Sequence, residues 1–427
     1  MVSLKQLVIF LFLLFRTFST DAQTYPISID STIQLITLES FRGHFDSLRT
    51  QPHHNRKVMP IWEQSNDHDE CRDYIFRSFQ KYLGEENCYL HFFESNDYRG
   101  LANVIGVKAG SNPTSGIWVI GAHYDSNNSN ENNRGTKIIS PGANDNGTGL
   151  AAILEIARTM SNIETEATLI FTAWDFEEVF INGFPAGSNA WFKRFIRKKK
   201  TTDWSNLGKS GIINIDDLKG NLNFDMFGNP QLEKDGLPLL WACYAKNQHR
   251  EFVHAYTETI EKYVPRIAVE VVGPLNWSDH FTFAANKIPA VENFESGYEK
   301  DPYYHTYADH LKNEDNIDFQ FASDVTRGGL AFLMEQVLKI SGTDAFPKTA
   351  ASSLCKSESP NSYFFEIPLF ERFFKIYDLY GNLHLNEMGS DFYAFKPPFN
   401  GWYYIVSNSD GELTHQIFYL NKKEGSF

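Results

Sequence analysis

The sequence predicts an α/β fold: a mostly parallel twisted sheet with helices on both faces, followed by a small all-β C-terminal module. Three observations carry this. From about Asn103 to Ile340, short β-branched runs alternate with helical patterns, as in domains where helices cover a parallel sheet. One run, "ATLIFTAWD", is apolar nearly throughout and reads as a buried strand. After Ile340 the texture changes to Ser, Thr, Pro and Lys, and then to aromatic runs separated by turn signals.

Taken in order, residues 1–22 combine a Lys, an apolar core from Leu7 to Phe15 and a small-residue end at Ala22. That core is too short to span a bilayer and suits a secretory signal, so export to the cell surface or medium is expected. "ITLESFRGHFDSLRT" and "DECRDYIFRSFQKYL" read as amphipathic helices packing on the sheet. "NVIGVKAG" and "GIWVIGAH" read as strands, "GTGLAAILEIARTM" as a helix, and "GSNAWFKRFIRKKK" as a helix with a solvated basic end. "GNLNFDMFG" is a strand, "REFVHAYTETIEKYV" a helix, "KIPAVENF" a strand, and "DVTRGGLAFLMEQVLKI" a closing helix. The expected divisions are a catalytic domain over 23–345, a linker over 346–362 and the β-module over 363–427.

The 427 residues suffice for one large domain and a small one, and 42% hydrophobic with 22% charged residues is ordinary for a globular chain. A formal charge of −14 argues against nucleic acid as a partner. A monomer is favoured. Four cysteines are too few for a disulfide scaffold, and in an oxidising compartment Cys71–Cys88 is the favoured bridge. There is no Cys-x-x-Cys pair, so a metal here must be held by His and carboxylates.

Ligands of open α/β sheets gather outside the carboxyl ends of the strands, and polar motifs stand there repeatedly. "GAHYDS" supplies His123 and Asp125, "AWDFEE" supplies Glu177 and Glu178, and "NFDMFG" supplies Asp225. "NWSDHF" brings Ser278, Asp279 and His280, and "PYYHTYAD" brings His305 and Asp309. Asp145 sits in a Gly/Asn loop just before a buried helix. Singly, each is an ordinary turn residue or surface pair. Together, two His and several carboxylates suit Zn²⁺, and they exceed what one ion needs, so one carboxylate is shared or idle; Asp145 is the candidate for sharing.

In this order, "GAHYDS…PGANDNGTG…AWDFEE…NFDMFG…SDHFTF…YYHTYAD" resembles zinc metallopeptidase family 28, in the bacterial aminopeptidase manner, over roughly residues 100–340. The resemblance implies two zinc ions bridged by Asp145, with His123 and Asp225 completing one site and Glu178 and His305 the other. It places Glu177 at the general base for the water that attacks a peptide, and Asp125 at the partner orienting His123. Ser278 and Asp279 fall in the segment that steadies the second histidine. Asp309 falls near it, and the bond after Asp145 is expected to be cis. The implied activity is release of N-terminal residues from peptide substrates.

The stretch "VFINGFPA" is longer than in simpler aminopeptidases, a trait shared with glutaminyl cyclases, which use one zinc and form N-terminal pyroglutamate. A catalytically dead binding homologue is the third reading, against which stands the retention of every ligand and of Glu177. Aromatics near the motifs, among them Trp174, Phe176, Phe180, Trp277, Phe281, Tyr303 and Tyr304, suggest an apolar subsite. The sequons at Asn127, Asn146 and Asn276 would invite glycosylation in a eukaryotic secretory route, but the last two lie inside the expected site, where modification would obstruct it, and read as coincidental. The C-terminal strands resemble a type IX secretion sorting domain, which implies the secretion machinery as a partner.

Overall fold

Every residue of the runs Ile117–His123 and Thr168–Trp174 is buried, so these strands are covered on both faces. They are the centre of a nine-stranded sheet seen in the computed structural model. The structure describes residues 28–338 except 49–55, 57–65, 96–97, 130–139, 199–200, 208 and 311–315, together with strands between 355 and 420. The sheet strands in chain order are β1 (Cys88–Ser95), β2 (Tyr98–Lys108), β3 (Ile117–His123), β4 (Thr168–Trp174) and β5 (Leu218–Phe224). They continue as β6 (Glu233–Lys234), β7 (Leu237–Cys243), β8 (Ala268–Val272) and β9 (Ala290–Glu295).

The order is β1-β2-β4-β3-β5-β9-β7, with β6 and β8 both paired to β7. The run β4-β3-β5-β9 is parallel, as is β7–β8. β1–β2, β2–β4 and β7–β9 are antiparallel. The parallel centre therefore aims the ends of β3, β4, β5 and β9 in one direction; His123, Glu177 and Glu178, Asp225 and His305 follow these strands, whereas Asp145 lies in the loop before α4 and Ser278 and Asp279 lie between β8 and α7.

Helices cover both faces. Trp118, Ile120, Ala122, Leu169, Phe171 and Leu222 share one core with α1 (Ile29–Ile33), α2 (Leu38–Ser47), α3 (Asn66–Leu83) and α4 (Gly147–Met160). The alternate residues Ile117, Val119 and Ile170 face α5 (Ala186–Phe195), the two-residue period of a strand made visible. On the first face also lie α6 (Arg250–Tyr263) and α8 (Phe319–Val337); on the second lies α7 (His280–Ala285). α4 is buried almost all round, and its one carboxylate, Glu155, is paired with Arg158 at 2.7 Å and accepts from Ser40 at 2.6 Å. The N-terminal hook is tied down by guanidinium groups: Arg158 donates to Leu35 O, and Arg327 donates twice to Ile36 O.

Some expectations need correction. Cys71, Cys88 and Cys243 are buried thiols; Cys71 and Cys88 pack in the α1–α4 core and are not bonded to each other. α5 stops at Phe195, because Ile196 pairs with Ile213 and enters the core. The basic run is thus not a helix end, although Arg197 and Lys198 are exposed. β1, β6, β7 and β8 are strands beyond those expected. The stretch read as linker contains the strand Cys355–Ser359, paired with Ser362–Glu366. The C-terminal strands form one three-stranded and one four-stranded antiparallel sheet. The signal-like residues 1–22 lie outside the described residues.

Candidate metal centre

Asp145 enters the site on a loop shaped by its neighbours. Gly142 has φ of 62°, and a side chain there would run into Arg56, Ser126 and the Asp145 carbonyl, so glycine is required. Arg56, fully buried, donates to the carbonyls of Pro141 and Gly142. Asp309 accepts from the backbone N–H of Asn144 at 2.7 Å and of Asp145 at 3.0 Å. The Asp145–Asn146 bond is cis. Asn146 then caps α4, accepting from Gly149 N. Its side chain also donates to Phe224 O, and it is fully buried, which agrees with reading its sequon as coincidental.

All five expected ligands converge. Asp145 Oδ1 is 3.2 Å from His123 Nε2, and Asp145 Oδ2 is 3.0 Å from His305 Nε2. Asp225 Oδ1 reaches His123 Nε2 at 3.0 Å, while Glu178 Oε2 is 3.3 Å from His305 Nε2. His123, Asp145 and Glu178 offer ligand atoms within 4.8 Å of one another. The two oxygens of Asp145 thus face the two halves of the set, which is the arrangement a shared carboxylate needs.

Charge accumulates here. Burial opposes protonation of His123 and His305, yet the surrounding carboxylates raise both, His305 to about 10. For His123 the chief carboxylate is Asp225, and for His305 it is Glu178. Burial pushes Glu178 up to about 6 and Glu177 well above the usual range. Burial also acts against ionised Asp145, but hydrogen bonds from His123 and His305 keep it below its ordinary value. One oxygen each of Glu177 and Glu178 is buried with no hydrogen-bond partner. Buried carboxylate oxygens left in this way favour a cation.

The supporting groups are equally specific. Asp125 accepts from the backbone N–H of Glu177 at 3.1 Å and of Glu178 at 3.2 Å. Its Oδ1 also lies 3.4 Å from His123 Nδ1, so one carboxylate orients a ligand and the neighbouring glutamates. Ser278 corrects an expectation: its hydroxyl donates to Asp225 at 2.6 Å and does not serve His305. The reason is its place just before α7, which packs against β5 and β9. Asp279 is buried at the start of α7, and burial raises its carboxyl to about 8. His280 packs beneath, 3.1 Å from Glu292, and is not a ligand.

Asn127 and Ser129, which none of the site motifs marks, and two of the expected aromatics, Trp277 and Tyr304, also meet the site. Asn127 donates to Glu178 Oε2 at 3.2 Å, and Ser129 Oγ lies 3.4 Å from His305 Nδ1. Tyr304 stacks on the His305 ring at 3.9 Å. Behind it, Tyr298, Phe294 and Trp277 continue an aromatic wall. The "VFINGFPA" stretch is a hairpin, Phe180–Ile181 against Phe184–Pro185, turning at Asn182 and Gly183 with positive φ, as an Asn-Gly turn does.

Comparison with known proteins agrees with this geometry. Residues 103–328 match Peptidase family M28. A probable zinc metalloprotease of Pyrenophora teres f. teres is 28% identical over 213 residues, 48% of this chain and 39% of that protein. A probable leucine aminopeptidase of Arthroderma otae is 28% identical over 242 residues, 55% of this chain and 56% of that protein. The chain spans about two fifths of the length of the first fungal relatives, 39% and 42%. Among solved structures, Legionella pneumophila LapA aminopeptidase aligns with a TM-score of 0.54 at 19% identity, covering 72% of this chain and 74% of that one. Macrostomum lignano glutaminyl cyclase aligns with a TM-score of 0.54 at 16% identity, covering 75% and 95%. At such identities these two likenesses speak for the fold. The family match takes in more than half of the sequence and all five converging side chains, and the chain belongs to peptidase family M28.

Proposed function

We propose that this protein is a secreted dizinc aminopeptidase that removes N-terminal residues from peptides. The observation that carries the reading is the division of Asp145, one oxygen toward His123 and the other toward His305. The donor set fits the metal: two imidazoles and three carboxylates, with the buried Glu178 Oε1 lacking any other partner. His123 and Asp225 would hold one ion, His305 and Glu178 the other, and Asp145 both. Zinc bound there would lower the pKa of water and polarise the scissile carbonyl.

The remaining work belongs to side chains of the chain. Glu177, kept high by burial, is suited to take a proton from the attacking water and return it to the departing amine. Asp125 fixes its backbone for that task. The wall of Tyr304, Tyr298, Phe294 and Trp277 favours substrates with an apolar N-terminal side chain, and Trp277 is still 37% exposed. Export rests on the N-terminal signal pattern, and passage through secretion machinery on the C-terminal strands. Deleting residues 363–427 should leave active enzyme inside the cell envelope.

The test is metal content beside turnover. About two zinc ions per chain with release of free amino acid from aminoacyl anilides supports the proposal. One zinc with cyclisation of N-terminal glutamine favours the glutaminyl cyclase reading, to which the long hairpin after Glu178 lends its support. Zinc without either reaction overturns both.

A further inference from the structure

Behind the ligand turns, a buried line of polar groups joins α3 to the ends of β3 and β4. His68, its side chain 11% exposed, sets Nε2 2.9 Å from Asp175 Oδ1. The other oxygen of Asp175 lies 2.8 Å from the Tyr124 hydroxyl and accepts from Ala102 N–H at 2.8 Å. The Asp175 backbone N–H donates to Asn103 at 3.0 Å, and the His68 ring lies over Tyr124 at 4.8 Å. Tyr124 stands between His123 and Asp125. Asp175 stands two residues before Glu177. One buried carboxylate thus ties together the two turns that present a ligand histidine, its orienting aspartate, the proposed base and Glu178.

We propose that His68 is a positioning residue for the reaction: paired with Asp175, it fixes the turn that aims Glu177 at the substrate. This rests on the hydrolase reading above. The turn needs holding, because Phe176, between Asp175 and Glu177, is buried with φ of 61°. Such a left-handed non-glycine residue persists only where its surroundings over-determine it. Asp175 is fully buried, and a buried carboxylate stripped of its cationic partner is strongly unfavourable. The groups facing His68 are Asp175 and Tyr124 across the interface, Asp69 on its own helix at 3.8 Å, and Asp125 at longer range. Burial opposes charge on His68, but these acids raise it to about 9, so the ion pair persists through neutral pH.

The experiment compares full-length wild type with His68→Ala, His68→Gln, Asp175→Asn and the double variant His68→Gln/Asp175→Asn. Turnover of an aminoacyl anilide, zinc content and the His68 imidazole NMR titration are read for each that folds. His68→Ala and His68→Gln should lower kcat about 10- to 100-fold, with KM within about threefold and zinc content unchanged. The double variant should lose no more than Asp175→Asn alone, since both residues act through one contact. In wild type the imidazole should stay protonated past pH 8, and in Asp175→Asn it should titrate near its ordinary value. Unchanged kcat in His68→Gln, or a wild-type imidazole already neutral at pH 7.5, overturns the proposal. An inactive wild type overturns the hydrolase reading and the positioning role with it, while the NMR titration still decides whether the ion pair exists.

Discussion

The Ser278 hydroxyl donates a hydrogen bond of 2.6 Å to Asp225, on the oxygen opposite the one that meets His123. The bond holds the carboxylate with one oxygen turned into the site. Ser278→Ala should therefore weaken zinc binding about 10- to 100-fold. Competition against a chelator of known affinity measures it, and an unchanged affinity would show that Asp225 is oriented by other means.

Glu177 has a different part. Glu177→Gln keeps the shape of the side chain but cannot carry a proton between water and amine. Zinc content should stay at the wild-type level while kcat falls about 10²- to 10⁴-fold. A variant that retains ordinary turnover would require another base.

Gly149 lies where α4 approaches β5. An added Cβ would press on the Phe224 carbonyl and on the Asn146 side chain that caps the helix. Gly149→Ala should cost about 1–3 kcal/mol of stability, the range for overpacking a filled core. Denaturant unfolding reads this directly, and zinc affinity should fall with it because Asp145 precedes the same cap.

His91 links stability to pH. Burial first, and Arg194 second, lower its imidazole to about 4. Its Nδ1 accepts from the Asn103 amide at 3.1 Å, a bond that the protonated ring cannot accept. The folded state therefore prefers neutral His91, and its full contribution is present above the unfolded value near 6.5. As pH falls from 6.5 toward 4, the unfolded chain binds the extra proton and stability drops, by up to about 3 kcal/mol from this group. Unfolding midpoints of the chelated protein across that range, with His91→Asn as the control, should show a flatter acid limb in the variant.

The site was legible in the sequence because most of its ligands follow apolar strands that end on one side. His123, Glu178 and Asp225 need no knowledge of the fold beyond that rule, and Asp145 and His305 were found by the motifs around them. Other elements carry a local signal: Asp235-Gly236 is a hairpin turn before β7, and "IAVEVV" is the short β-branched run of strand β8. The supporting contacts are another matter. Ser278 to Asp225, Asn127 to Glu178 and His68 to Asp175 join residues 51 to 107 positions apart. Their geometry depends on how helices settle on the sheet, and no spacing in the text encodes it.

The carbonyls of Leu35 and Ile36, each gripped by an arginine from a helix of the matched region, bear on where this protein can be shortened. A fragment trimmed to residues 103–328 would leave Arg158 and Arg327 without those acceptors and bare the apolar floor that Phe41, Phe45, Ile75 and Phe79 now roof over. Anyone engineering a minimal enzyme should cut upstream of residue 28, because the first helices share one hydrophobic core with the sheet and with α4, the helix that follows Asp145.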